Sequence, residues 1–171
     1  MSALLFVDDR QVPLEASEGL TQEIAQIKRG IARRLANKAL IYRSTGAKKY
    51  RTRISGGGWV SSGLSDVDFE QQVAIRCIDP LPCHSATNEV TLPAGRRSDM
   101  DFPAHAVVDG LLVETSITQI VGNTATLEAV SGATEYRVEC YQELTVIGAD
   151  FTETVNMETG KYSWTLSAEE V

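Results

Sequence analysis

Two short turn signals constrain this chain more than any other feature. Asp109-Gly110 separates Ala106-Val107-Val108 from Leu111-Leu112-Val113, and Gly122-Asn123 separates Thr118–Val121 from Thr124–Val130. Two-residue connections of this kind take a left-handed backbone that matches the twist of paired strands, so each predicts a β-hairpin. Next comes a long alternating strand, Tyr136–Ile147, with Tyr136, Val138, Cys140 and Gln142 on one face and Arg137, Glu139, Tyr141 and Glu143 on the other. Tyr162-Ser-Trp164-Thr-Leu166, after a Glu158-Thr-Gly160 turn, reads as the last strand. Short strands at near-regular spacing predict an all-β chain, an antiparallel sandwich or barrel with at most one short helix.

The N-terminal half fits this frame with one ambiguity. Ala3–Val7, the turn Asp8-Asp9-Arg10 and Gln11–Leu14 predict a hairpin with Pro13 near an edge. Leu20, Ile24, Ile27, Ile31 and Leu35 recur at helical spacing, but Gly19 and Gly30 interrupt the stripe, and residues 31–43 also read as two strands about an Asn37-Lys38 turn. Periodicity leaves residues 20–44 open between helix and hairpin. Lys48–Ser55 predicts a strand with a charged face. Ser55–Leu64, rich in Gly and Ser, predicts a loop with Trp59 as its single large anchor, and Ser65–Phe69 one helical turn capped by Ser65. Gln72–Ile78 reads as a strand stopped by Asp79-Pro80-Leu81-Pro82, and residues 83–103 as a long loop or arm within a single domain spanning 1–171.

With 171 residues the chain is long enough to bury roughly two thirds of its unfolded surface without staples. Its apolar runs are far shorter than a membrane-spanning helix needs, and the start runs into acid after five apolar residues with no basic segment before them, so a cytoplasmic chain is expected. The net charge of −7 hides an asymmetry. Residues 24–65 hold ten Lys and Arg and no acid, whereas residues 99–171 hold thirteen acids against two bases. A cationic band can mark a nucleic-acid footprint, but a chain that also carries an anionic band can meet it with a second copy of itself.

The residues offer little to chemistry. Cys77, Cys83 and Cys140 form no C-x-x-C pair, and with His84 and His105 they match no zinc spacing, so neither a disulfide framework, a metal nor a cofactor is expected. Cys83 and His84 are adjacent, and neighbours on an extended chain point apart. His105 lies near Asp99, Asp101 and Asp109 in sequence, which makes a hydrolase triad only on paper. The acid pairs Asp66/Asp68, Asp99/Asp101 and Glu169/Glu170 read as solvated faces. Ser55-Gly56-Gly57-Gly58 lacks the Lys-Ser/Thr that follows a phosphate loop. No catalytic residue is assigned.

Arg33–Tyr42, Tyr50-Arg-Thr-Arg-Ile-Ser-Gly-Gly-Gly-Trp-Val60, Gly63-Leu64 and Ala74–Ile78, with Tyr136–Tyr141, Leu144-Thr-Val and Gly160–Glu170, resemble the small distal-tail or baseplate proteins of long-tailed bacteriophages. The likeness is spread over about two thirds of the chain. It implies a tail-tube-like β-sandwich or barrel, a hairpin rather than a helix over residues 30–44, and a homohexameric ring in the virion tail tip, assembled in the host cytoplasm. Its partners would be the tail tube protein and the baseplate hub, with nucleic acid only as the genome passing through the lumen. Candidate subunit-contact residues are Arg33, Arg34, Lys48, Lys49, Arg51, Arg53 and Trp59. The competing readings are a nucleic-acid-binding β-barrel that uses residues 28–53, and another tail ring such as a tube or terminator protein.

Overall fold

The hairpin turns take the backbone their residues allow. Asp8 and Asp9 have φ of 50° and 60°, Asp109 and Gly110 51° and 80°, and Gly122 58°. Positive φ at both central positions, or at a leading Gly, is what two-residue hairpins require. A computed structural model describes residues 4–27, 30–34, 40–44 and 48–171, with side chains outside 28–47. The chain is all-β and antiparallel.

In chain order the strands are β1 (Phe6–Val7), β2 (Arg10–Gln11), β3 (Glu18–Ile27), β4 (Gly30–Arg34), β5 (Leu40–Ser44), β6 (Lys49–Gly58) and β7 (Val73–Ser85). They continue as β8 (Glu89–Thr91), β9 (Ala104–Val108), β10 (Leu111–Thr115), β11 (Ile117–Val121), β12 (Thr124–Leu127), β13 (Ala133–Val146), β14 (Asp150–Asn156) and β15 (Lys161–Glu169). A 3-10 turn, Leu14–Ala16, is the one helical segment among the described residues. Residues 65–69, expected as a helical turn, form non-helical turns. The ambiguity over residues 20–44 resolves toward strands: β3 pairs with β6, and β4 with β5. Leu20, Gln22 and Ile24 are half-buried in alternation with exposed neighbours, so a period of two prevails over the helical stripe.

Two compact units are distinguished along the chain, Met1–Gln11 with Ala74–Leu144, and Val12–Val73 with Thr145–Val171. The first holds a six-stranded sheet in the order β10-β9-β13-β7-β1-β2 and a three-stranded sheet in the order β11-β12-β8. Their facing residues, among them Val90, Ala106, Leu127, Tyr136, Val138 and Cys140, make one core. β13 alternates as its sequence predicts, with Tyr136, Val138, Cys140 and Gln142 buried. β7 does not stop at Asp79. Along β7 the β1 ladder covers Ile75 and Arg76, so the later part of the strand carries Pro80 and Pro82 where β1 asks for no amide. Of the expected arm at 83–103, Cys83–Ser85 completes β7 and Glu89–Thr91 forms β8.

The N-terminal strand of this unit is tied down by Arg97, which is 1% exposed. Its Nε and Nη2 donate to the two oxygens of Asp99 at 2.9 and 2.8 Å, and its Nη1 to the carbonyls of Leu4 and Cys77 at 2.8 and 3.0 Å. Arg76 and Arg97 lie 5.2 and 5.8 Å from the centroid of the Phe6 ring. A buried guanidinium is tolerable only when its donors are met in this way.

The second unit holds a four-stranded sheet in the order β14-β15-β6-β3 and the two-stranded pair β4-β5. Across β6 and β15, Thr52 faces Ala168, Ile54 faces Leu166, and Gly56 faces Trp164. The Gly run expected as a loop is therefore strand, and the buried anchor is Trp164, 2% exposed, in place of Trp59. A Cβ on Gly56 would sit 2.8 Å from the Trp164 ring, one on Gly57 2.6 Å from the Tyr162 carbonyl, and one on Gly58 1.6 Å from the Glu15 carbonyl. The Trp164 indole N–H donates to the Ala16 carbonyl at 2.8 Å, which fixes the 3-10 turn against the sheet.

Gly56→Val should destabilise the chain by about 2 kcal/mol through overpacking against the indole, and Trp164→Ala by about 4 kcal/mol; urea unfolding of each and of the double variant should show strong non-additivity. Arg97→Met should cost about 3 kcal/mol, because it removes the buried donor that the Leu4 and Cys77 carbonyls and the Asp99 carboxylate accept from. The Arg97 hydrogen bonds hold the Asp99 carboxyl below its ordinary value. The stability this adds is complete above the unfolded carboxylate range and is lost as pH falls through the depressed folded value. Urea melts from pH 7 to pH 2 should accordingly show wild type ahead of Asp99→Asn at neutral pH and the gap closing in acid.

Candidate functional site

Alternation along β6 puts Lys49, Arg51 and Arg53 on the face opposite Thr52 and Ile54. Glu169 of β15 stands across from Arg51, and Glu23 of β3 across from Arg53. Arg51 Nε donates to Glu169 at 2.8 Å, and its Nη2 bonds the same oxygen. Lys49 Nζ donates to the Val171 carbonyl, and the Tyr50 amide to the Glu170 carboxylate at 2.9 Å. Lys48 precedes the strand and is exposed. Arg51, Arg53, Glu23, Glu169 and Asp150 line an open groove of about 650 Å³ in which acids and bases are mixed. The basic band is thus met here, in part, by the acidic C-terminal strand of the same chain.

Arg33 and Arg34 lie on β4, opposite Ile41 and Leu40 of β5, and their side chains fall outside the described residues. Trp59 stands at the far end of β6, beyond Gly58, so it is not brought together with the basic cluster. It is 64% exposed, with Lys161 Nζ 4.8 Å from its ring centroid, and Lys161 in turn 3.0 Å from Glu18. The following residues are pinned to β14: Glu153 accepts from Ser61 Oγ at 2.9 Å and the Ser62 amide at 2.7 Å. Burial pushes the Glu153 carboxyl up, but the hydrogen bonds from Ser62 and Ser61 outweigh it and leave it below its usual value.

The chemical candidates are dispersed. Cys83 packs inward against the core of its unit, whereas its neighbour His84 is exposed and 2.6 Å from Glu135. His105 stands in register between Glu114 and Arg137, and Asp99 is engaged by Arg97. Gly56–Gly58 is paired with β15 in an extended strand and is not a phosphate-cradling loop. Among the described residues no group of three or more His, Cys, Asp or Glu could hold a metal ion.

One surface was not singled out from the sequence. β10 is the edge of its sheet, and Leu111, Leu112 and Val113 are 71, 54 and 40% exposed. On the adjoining β11, itself an edge, Ile120 and Val121 are also exposed. The signal was present: three consecutive apolar residues after Asp-Gly break the alternation of a half-buried strand and leave both faces apolar.

Arg51→Ala should change stability by less than about 1 kcal/mol, with the difference vanishing in high salt, as expected of an exposed ion pair. Trp59→Ala should be similarly mild in the same urea titration, in contrast to Trp164→Ala. The chain matches no protein-family model, and no curated protein matches it.

Proposed function

We propose that this chain is a structural, non-enzymatic subunit of a long-tailed phage tail or baseplate, with a tail-tube-like fold, which assembles into a ring that joins the tail tube to the distal hub. The observation that carries this reading is the exposed apolar edge strand β10. Monomeric proteins blunt a sheet edge with charge, proline or a covering segment, and β10 offers Leu111-Leu112-Val113 with Glu114 as its only charge. Such a strand suits burial against a neighbour. A closed ring needs two unlike, complementary surfaces on each subunit. The segregation of ten bases into residues 24–65 and thirteen acids into residues 99–171 is consistent with that requirement. The sequence likeness to distal-tail proteins points the same way, and the partners it implies are further copies of the chain, the tube protein and the hub.

A second reading rests on residues 28–43, which carry six Lys and Arg and no acid, and makes the chain a nucleic-acid-binding β-barrel. The bonds of Lys49 and Arg51 to the chain's own C-terminal strand count against extending that footprint to residue 53. Retention of single-stranded DNA or RNA with a steep salt slope would favour it over the ring.

Native mass measurement at high concentration should give about six times the 18.6 kDa subunit mass, and electron microscopy should show rings. A strict monomer overturns the proposal. Leu112→Glu should abolish assembly while shifting stability by no more than about 0.5 kcal/mol. Rings formed as well by this variant as by wild type would remove β10 from the interface.

A further inference from the structure

Among the described residues β10 pairs with β9 alone, so one side of its backbone has no ladder partner. Glu114, its single charge, faces His105 in register and has no ion-pair partner among the described residues. Beside this strand the first unit has two open grooves of about 480 and 610 Å³, and the charged residues lining them are all acids, Asp101, Glu114 and Glu128. The second unit holds the converse. β4 and β5 form a two-stranded sheet that joins no further strand among the described residues. An isolated pair of strands is marginal in water and gains stability from a third. Residues 28–43 hold six Lys and Arg, no acid, and among their apolar residues Leu40, Ile41 and Tyr42.

Resting on the ring assembly put forward above, we propose that the partner of β10 is β5 of a second copy, added as a parallel strand with Arg43 beside Glu114. A strand that completes this edge must offer apolar residues beside Leu111–Val113 and a base beside Glu114. β5 does so residue for residue: Leu40 beside Leu111, Ile41 beside Leu112, Tyr42 beside Val113, Arg43 beside Glu114 and Ser44 beside Thr115. Laid antiparallel over the same five residues, it sets Ile41 beside Glu114 and Arg43 beside Leu112. β4 laid parallel brings Arg33 to Glu114 but sets Gly30, a poor strand residue, beside Leu111. Main-chain hydrogen bonds supply the affinity, and the Glu114–Arg43 pair fixes direction and register. The two surfaces are unlike, so each copy gives β10 to one neighbour and β5 to another, and the series closes as a ring or, with two copies, as a reciprocal dimer.

The test reads assembly of the full-length chain by native mass measurement over a concentration series, with urea midpoints of the dilute chain as the check on folding. Glu114→Arg and Arg43→Glu should each keep the wild-type midpoint and raise the half-assembly concentration by about tenfold or more, because like charges then meet. An equimolar mixture of the two should assemble as wild type does, with the chains alternating, since every Arg then meets a Glu. The double variant should assemble alone. Should Arg43→Glu unfold, Arg43→Gln takes its place, and its mixture with Glu114→Arg should still assemble better than Glu114→Arg by itself. Single reversals that assemble as wild type, a mixture without rescue, or rescue of Glu114→Arg by Arg33→Glu in place of Arg43→Glu would each overturn the β5 assignment and leave the ring reading standing. Rescue that yields dimers alone supports the β10–β5 contact and removes the ring. A strict wild-type monomer overturns both.

Discussion

The indole of Trp164 lying over Gly56 is the contact around which the four-stranded sheet is arranged. A ring of that size on a strand leaves no room for a side chain on the residue it faces, so β6 must be bare where β15 is bulkiest. The buried indole N–H needs an acceptor, and the Ala16 carbonyl supplies it, which brings the 3-10 turn close enough that Gly58 must also lack a side chain. Three consecutive glycines, individually poor strand formers, are thus required by contacts far away in sequence: Gly56 by Trp164, Gly57 by the Tyr162 carbonyl and Gly58 by the turn near the N-terminus. The pairs Ile54–Leu166 and Thr52–Ala168 continue the same row, and Thr52 meets its polar need through Gln22 and the Glu23 carbonyl on β3.

This dependence explains which parts of the fold were legible beforehand. The hairpin turns at Asp8-Asp9, Asp109-Gly110 and Gly122-Asn123, and the alternation of Tyr136–Val146, are local, and all were readable. The Gly run was misread because its cause is non-local: seen alone, Ser55–Gly58 carries every mark of a loop. Trp59 drew attention for its position in that run, yet it is the exposed tryptophan, and Trp164, embedded in an unremarkable alternating strand, is the anchor. β7 ran past its prolines because the β1 ladder on it covers only Ile75 and Arg76, so Pro80 and Pro82 interrupt no β1 pairing, a fact of topology rather than of composition.

The charge bands are subtler in three dimensions than along the chain. Arg51 with Glu169 shows an acid of one band folded onto a base of the other, Lys49 bonds the Val171 carbonyl of the same C-terminal strand region, and Lys161 pairs with Glu18, all within one sheet. Such exposed pairs contribute little to stability, so their effect is to remove charge from what a partner would meet. Of the candidate contact residues, Lys49 and Arg51 already have partners in the chain itself, and Arg53 faces Glu23 in register. The apolar edge at Leu111–Val113 is the feature a linear charge count could not reveal.

The division of the chain has a consequence for its synthesis. Residues 74–144, which with the N-terminal strands make up the first unit, leave the ribosome as one uninterrupted stretch. The second unit is split, and β6, made early, waits for β15 as its partner on one side. Until then the row of Thr52, Ile54 and Gly56 has no Trp164 to cover it, and the sheet is an open template for stray strands. The order of translation therefore makes this half of the molecule the slower to mature and the one most in need of protection while the chain is incomplete.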